Sequence, residues 1–153
     1  MIQHLKHNEI DKNKWDNCMD QCVNTLVYAY SWYLDIVCPE WNALVEDDYT
    51  SVMPLTGNKK YGITYLFPPY FAQQLGVFSK NKLSKGKVSE FLDGIPPHYK
   101  FITINLNTQN TFELPPFKIK KKVNMELPLN NSYELLRRTF SKDTKRNIKK
   151  SER

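Results

Sequence analysis

Apolar and polar positions alternate most regularly in the stretch between Trp41 and Phe78. Because successive side chains of a strand point to opposite faces, such alternation is typical of strands. Asp47-Asp48 and Thr56-Gly57-Asn58 interrupt the pattern as turn signals. Pro68-Pro69 ends it, since proline cannot donate to a sheet ladder. The stretch is therefore predicted to form an antiparallel meander of three strands, at 41–45, 49–55 and 61–67.

Elsewhere, apolar residues recur every three or four positions, which predicts helices. Asp11 is a suitable N-cap for the first of them, and Ser84 or Ser89 for the third. The last helix opens with a capping box at 131–134, where an N-cap is followed three residues later by glutamate. The predicted helices cover residues 11–22, 31–38, 84–95 and 131–148.

Further strands are predicted at both ends of this pattern. They lie at 2–10, 26–30 and 99–106, with one more inside 112–129. Lys118, Lys120 and Lys122 alternate along the last segment, as on an edge strand that is protected by charge.

The composition indicates a folded protein with an ordinary core. The chain has 153 residues, of which 13% are aromatic, and this suits one domain. No apolar run approaches the roughly 20 residues of a membrane helix, and the first residues lack the apolar stretch of a signal peptide. The three cysteines form no CxxC pair, which favours a reduced compartment. We therefore expect a cytoplasmic protein without a membrane span.

The positive charge lies almost entirely at the C-terminal end. Residues 1–117 hold 10 Lys/Arg and 12 Asp/Glu, whereas residues 118–153 hold 12 and 4. A lysine-rich helical end is more often a solvated face than a nucleic-acid site. It also lacks the interleaved aromatic side chains that favour single-strand binding. Nucleic acid is therefore the less favoured partner.

Few residues carry chemistry that spacing alone can identify. The chain has no GxGxxG, P-loop, HExxH or GxSxG pattern. Cys18 and Cys22 lie one helical turn apart, which suits either a metal site or, more often, two small core residues. Asp35 stands in an aromatic segment, either hydrogen-bonded to its surroundings or available for function. No complete active site follows from these positions.

Several short motifs together resemble a bacterial family. The chain is similar to the N-terminal half of the FemAB-like proteins, relatives of the peptidoglycan aminoacyltransferases in the GNAT acetyltransferase superfamily. The motifs that carry this resemblance are Trp15-Asp16, SWYLD at 31–35, W-x-A-L-V at 41–45, VMPL at 52–55, K-K-Y-G-I-x-Y-L at 59–66, QQLG at 73–76 and SKDTKRNIKK at 141–150.

The resemblance implies an α+β, GNAT-like fold with a central, mostly antiparallel mixed sheet flanked by helices. It assigns residues 1–130 to an N-terminal GNAT-like domain and residues 131–153 to a basic helix that leads towards a second, absent domain. In such proteins the second domain generally holds the donor, which would be acyl-CoA or aminoacyl-tRNA. The usual coenzyme loop reads Q/R-x-x-G-x-G/A, whereas the equivalent segment 68–78 has only Gly76. We therefore expect no cofactor in this domain.

The resemblance also places an acceptor cleft in the first domain. Amide side chains can recognise a polar acceptor, and basic side chains can hold an acidic or phosphorylated one. Arg146 could equally pack against the missing domain. The candidates for lining the cleft are Tyr33, Tyr70, Gln73, Gln74, Arg138, Lys145 and Arg146.

Two functions remain open at this point. The first is the acceptor-side half of an N-acyl- or aminoacyltransferase that is inactive alone and acts on an amine-bearing acceptor. The alternative is a non-catalytic binding or scaffold module that keeps the fold. In either case an exposed interdomain face would favour a homodimer, because a surface made to be covered is a poor solvent face.

Overall fold

The computed structural model describes residues 1–125 and 132–152, which belong to two compact units, Met1–Ile119 and Lys120–Arg153. The α+β class is confirmed. The described residues form five α-helices: α1 Lys12–Gln21, α2 Ser31–Val37, α3 Lys85–Asp93, α4 Tyr133–Thr139 and α5 Lys142–Ser151. They form seven strands: β1 Ile2–Leu5, β2 Asn42–Glu46, β3 Ser51–Leu55, β4 Gly57–Lys60, β5 Ile63–Leu66, β6 Phe78–Ser79 and β7 Tyr99–Ile102.

The strands form two sheets rather than the single central sheet that was expected. The first is antiparallel, in the order β1-β2-β3-β6. Both of its faces are buried, because alternate residues of β2 and β3 enter two different apolar cores. Ala43 and Val45 pack with Trp15 of α1, while Leu44 packs on the other face with Phe91 of α3.

The second sheet has the order β4-β5-β7 and contains a parallel pair, β5 with β7, which α3 connects. The turn predicted at Thr56-Gly57-Asn58 is wrong, because Gly57 begins β4. A Cβ at Gly57 would lie 2.9 Å from Cε1 of Tyr99, so glycine permits a close contact there. The reversal occurs instead at Tyr61 and Gly62, with φ of +51° and +81°.

Side-chain hydrogen bonds to the first turn account for where α1, α2 and α3 begin. The Asp11 side chain accepts from the Lys14 amide, and Ser84 accepts from the Lys87 amide. Ser31 is not the N-cap of α2 that its hydroxyl would suggest: the helix starts at Ser31, whose amide and hydroxyl both donate to Asp16 of α1. The neighbouring helix thus supplies the capping carboxylate.

One predicted strand, at 26–30, is replaced by other structure. Residues 26–30 contain the 3₁₀ turn Val27–Ala29, and the Ala29 carbonyl accepts the Trp15 indole N–H at 2.7 Å. The part of 112–129 that the structure describes, up to residue 125, holds no strand, and the remainder lies outside the described residues.

The predicted helix at 131–148 is two helices. Ser132 caps α4 and Ser141 caps α5, each side chain accepting a backbone amide three residues later. Phe140 between them has an extended backbone, so the second cap starts a new helix instead of continuing the first. Asn131, the first residue of the expected capping box, lies outside the described residues.

Candidate functional site

A small cleft opens in the first unit beyond the carboxyl ends of the parallel strands β5 and β7. Parallel strands joined by a helix commonly present ligand sites at this end, because the loops that leave the strands diverge there. The lining is mostly apolar, with two threonines and one asparagine as its polar members. It consists of Pro54, Thr56, Leu66, Pro68, Leu75, Thr103, Ile104 and Asn105.

Backbone hydrogen bonds fix the walls of the cleft. The Thr103 amide donates to the Leu66 carbonyl at 3.0 Å, so the segments that leave β5 and β7 remain hydrogen-bonded just past the strands. The Leu75 amide donates to Asn105 at 2.7 Å, and the Leu75 carbonyl accepts from Asn107 at 2.9 Å. The cleft is therefore bounded by paired main chain rather than by side chains alone.

The loop from Pro68 to Leu75 forms one rim of this cleft and carries three of the expected site residues. Tyr70 is 88% exposed and Gln73 is also exposed, while Gln74 is half-buried. Both ends of the loop line the cleft. Tyr70, Gln73 and Gln74 thus lie on the loop between two lining residues, Pro68 and Leu75, and are not themselves among the residues that line the cleft.

Tyr33 holds this loop from α2. Its hydroxyl donates to the Phe71 carbonyl at 2.7 Å, and its ring packs edge-on against Tyr28 and Trp32. Phe71 has a φ of +68° and is 85% exposed. A bulky residue in the left-handed region is strained, and such strain persists only where neighbours impose it. Tyr33 thus positions the loop and does not face the cleft as a free side chain.

The three basic candidates lie in the second unit. Lys145 is half-buried, and its ammonium donates to the Arg138 carbonyl at 3.2 Å, next to the end of α4. Arg146 pairs with Asp143 at 3.1 Å on the exposed side of α5. The structure brings Lys145 and Arg138 together within this unit.

A buried asparagine cluster, which the sequence did not single out, holds the segment after the loop. The backbone amide of Val77 donates to Oδ1 of Asn110 at 2.7 Å, and the carbonyl of Val77 accepts from Nδ2 of Asn110 at 3.1 Å. Its carbonyl also accepts from Asn24 at 2.8 Å and from Asn107 at 3.2 Å. A φ of +96° at Gly76 leads the chain into this cluster. The one available signal in the sequence was the recurrence of asparagine at positions 105, 107 and 110.

Asp35 is hydrogen-bonded, as the simpler interpretation of this residue expected. It accepts the Lys12 ammonium at 2.7 Å and the Trp41 indole N–H at 3.0 Å, and Nε2 of His7 is 3.8 Å away. Burial acts to raise the pKa of its carboxyl, but the bonds from Lys12 and Trp41 outweigh it, so the pKa lies below its usual range.

This arrangement predicts a pH-dependent loss of stability for Asp35→Asn. A carboxyl with a depressed pKa stabilises the fold above its unfolded value of about 3.9, and the gain disappears as pH falls through the folded pKa. We expect the variant to be about 1 kcal/mol less stable at pH 7, with the difference shrinking to zero in acid. Urea unfolding of both proteins at several pH values measures it.

Asp48→Asn is the matched control for Asp35→Asn. Asp48 also pairs with a lysine, Lys14, at 2.6 Å, but its side chain is 79% exposed. An exposed pair contributes little, so this variant should match the parent at every pH. A stability difference for Asp35→Asn that stays constant from pH 7 into acid would contradict the electrostatic explanation.

Two properties concern only the residues that the structure describes. Among residues 1–125 and 132–152, no helix has both the length and the apolar character that crossing a bilayer requires. Over the same ranges, no three side chains of His, Cys, Asp or Glu lie close enough together to hold a metal ion.

Comparison with known proteins leaves the site to be judged on its own geometry. No family model, no curated protein and no solved structure matches this chain.

Proposed function

We propose that this chain is the acceptor-binding side of an N-acyl- or aminoacyltransferase of the FemAB-like kind, with a GNAT-like fold. The amine-bearing acceptor would enter the cleft beyond β5 and β7, and a second domain would supply the acyl or aminoacyl donor. Alone, the chain would bind the acceptor without transferring anything to it.

The observation that carries this proposal is the rim of the cleft. Gln73, two residues before the cleft-lining Leu75, offers an exposed amide on the loop next to a mostly apolar cleft. An amide both donates and accepts, so it suits a polar acceptor, while Thr103 and Asn105 supply further polar groups. Small-molecule sites likewise combine an apolar lining with a few fixed polar groups. This cleft, with a cavity volume of about 10 Å³, has room for one small group such as the amine of an acceptor.

The resemblance also favours an acidic or phosphorylated acceptor, and the second unit, taken by itself, carries exposed basic side chains of the kind that bind such groups. Arg138 and Arg146 are exposed, and guanidinium groups bind carboxylate or phosphate through two parallel hydrogen bonds. Of these two, Arg146 already pairs with Asp143, so Arg138 is the better candidate for an incoming anion.

The exposed aromatic side chains favour a second candidate, a binding module without transfer chemistry. Trp32, Tyr70 and Phe71 are 52%, 88% and 85% exposed. Large exposed apolar side chains grouped near one loop are typical of contact surfaces for other proteins. Under this alternative the cleft binds its ligand and no acylated product forms.

A titration followed by two-dimensional amide NMR tests the proposal. The probes are three primary amines, lysine, ethanolamine phosphate and glucosamine 6-phosphate, with acetyl-CoA as the donor probe. We expect at least one amine to shift the amides of 70–75 and 103–105 in a saturable manner, and acetyl-CoA to shift none. Gln73→Ala should weaken the amine response at least several-fold. Gln3→Ala, which alters an equally exposed glutamine on β1, should leave it unchanged.

Two results of the titration would overturn the proposal. One is saturable binding of acetyl-CoA that Gln73→Ala abolishes, since this would make the cleft a donor site. The other is the absence of any amine response at 70–75 and 103–105. Transfer assays on protein made from a reading frame extended past Arg153 then separate the two candidates. Acylation of the bound amine supports the transferase, and binding without product supports the module.

A further inference from the structure

Two thiols face each other at the C-terminal end of α1. The sulfur atoms of Cys18 and Cys22 lie 3.7 Å apart and share a hydrogen bond. Residues four apart in an α-helix have Cα atoms about 6 Å apart, within the range that disulfides span. The pair therefore needs movement of its side chains, and little movement of its backbone, to form a bond.

The position of Cys22 at the end of α1 allows the side chains of the pair to move. Cys22 is the C-cap residue of α1, with φ of −70° and ψ of 138°, so its own backbone has left the helix. It is 8% exposed, whereas Cys18 is fully buried. Access of a small oxidant to the buried Cys18 sulfur requires the last turn of the helix to open, which helix ends do more readily than helix middles.

The two thiols also differ in acidity, as the two partners in disulfide formation commonly do. Their mutual hydrogen bond lowers the pKa of the Cys18 thiol and raises that of Cys22 well above its usual range. Lys80 lies near enough to favour the thiolate of both. The thiolate is the reactive form, and because the hydrogen bond joins the two sulfurs, a thiolate on either one is stabilised by the S–H of the other.

We propose that Cys18 and Cys22 form an oxidation-sensitive dithiol that closes into an intramolecular disulfide when it meets hydrogen peroxide. One of the two sulfurs, as the thiolate, attacks one peroxide oxygen, the O–O bond breaks, and the departing hydroxide takes up a proton to leave as water. The other sulfur then attacks the resulting sulfenic acid, the S–O bond breaks, and a second water leaves with the proton of that second thiol. Two electrons pass from the thiols to one peroxide.

Closure would be transmitted to the segment that follows the candidate rim loop. The residue after Cys22, Val23, donates its amide to the Ser79 carbonyl of β6 at 3.0 Å. The next residue, Asn24, accepts the Ser79 amide at 3.2 Å and donates to Val77. On closure the S–S distance shortens from 3.7 Å to about 2.05 Å, and the amide signals of Val23 and Ser79, which lie next to the new bond, should report the change in their surroundings.

Cys38 provides an internal control, because its thiol is half-buried and faces the Gly57 carbonyl instead of another sulfur. The test uses Cys38→Ser protein treated with one equivalent of hydrogen peroxide. We expect both remaining thiols to disappear together, the intact mass to fall by two hydrogens, and dithiothreitol to restore the starting state. Cys18→Ser in the same background should show no loss of two hydrogens.

Wild-type protein provides a second test that does not depend on Cys38→Ser folding correctly. All three cysteines lie between Lys14 and Lys59, so trypsin leaves them in one peptide. Cleavage on the amino side of Asp20 instead breaks the chain between Cys18 and Cys22. A disulfide then holds the two resulting peptides together, and dithiothreitol separates them.

Either test can contradict the proposed dithiol. Stepwise addition of oxygen atoms without loss of two hydrogens would show that the thiols oxidise independently, as two ordinary core residues would. A bond from Cys38 to either partner, or a disulfide only between molecules, would show that the 3.7 Å approach does not direct the reaction.

Discussion

Gly76→Ala is expected to destabilise the first unit by about 3–5 kcal/mol. Gly76 has a φ of +96°, and a Cβ there would lie 2.5 Å from Oδ1 of Asn110 and 2.9 Å from Cδ2 of Leu106. The left-handed conformation costs about 1–2 kcal/mol for a residue with a side chain. Overpacking adds about 1–3 kcal/mol, and moving Asn110 breaks its bond with the buried Val77 amide. Urea unfolding monitored by tryptophan fluorescence measures the loss.

Gly62→Ala separates these contributions. Gly62 also has a positive φ, +81°, but nothing lies within 4 Å of the added Cβ. This variant should lose about 1–2 kcal/mol, from conformation alone. If both variants lost the same amount, the close contact between Gly76 and Asn110 would have no energetic weight, and Gly76 would serve only the backbone turn.

Trp15→Ala is the second large change, with an expected loss of about 3–5 kcal/mol. The Trp15 side chain is fully buried, and the centroid of its ring lies 4.7 Å from that of the Trp41 ring. Its indole N–H donates to the Ala29 carbonyl. Alanine would leave a cavity between α1 and β2 and would deprive a buried carbonyl of its donor. The midpoint of urea unfolding should fall accordingly, or the protein should fail to fold.

Trp15→Phe and Trp32→Ala are the controls for Trp15→Ala. Phenylalanine keeps much of the ring packing and removes the indole donor, so its loss should be smaller, about 1–3 kcal/mol. Trp32 is 52% exposed, and truncating it should change stability by about 0.5 kcal/mol or less. A loss for Trp32→Ala as large as that for Trp15→Ala would contradict the assignment of Trp15 as a central core residue.

These positions show how the candidate site depends on the fold beneath it. Gly76 and Asn110 fix the chain directly after Leu75, which lines the cleft. Trp15 supports the 3₁₀ turn that precedes α2, and α2 carries the Tyr33 that holds the rim loop. Substitutions at either position should therefore weaken ligand binding through stability, unlike Gln73→Ala, which should weaken it directly.

Local signals predicted the elements whose bonds span few residues. Asp11 and Ser84 open their helices by accepting amides three residues later, and the apolar spacing identified the buried face of α1. The alternation at 41–45 and 49–55 correctly predicted β2, β3 and the turn between them. Such features depend on side-chain period and on caps, both of which lie within one stretch of sequence.

The predictions of local structure were wrong where a residue far away in the sequence determined that structure. Residues 26–30 have the composition of a strand, yet the Trp15 indole binds the Ala29 carbonyl and a 3₁₀ turn forms. Gly57 resembled a turn glycine, but its small size accommodates the Tyr99 ring. The expected single sheet failed for the same reason, because strand pairing is determined between segments and not within them.

The sequence by itself determined the α+β class, the capped helices α1 and α3, the β2–β3 pair and the uneven distribution of charge, since each of these follows from neighbouring residues. Only the tertiary structure decided that β5 and β7 pair in parallel, that the Pro68–Leu75 loop forms the rim of the cleft at their ends, and that Asn110 meets Val77 from 33 positions away. These contacts join segments that are far apart in the sequence. Whether they form therefore depends on how the two apolar cores pack on opposite faces of one sheet.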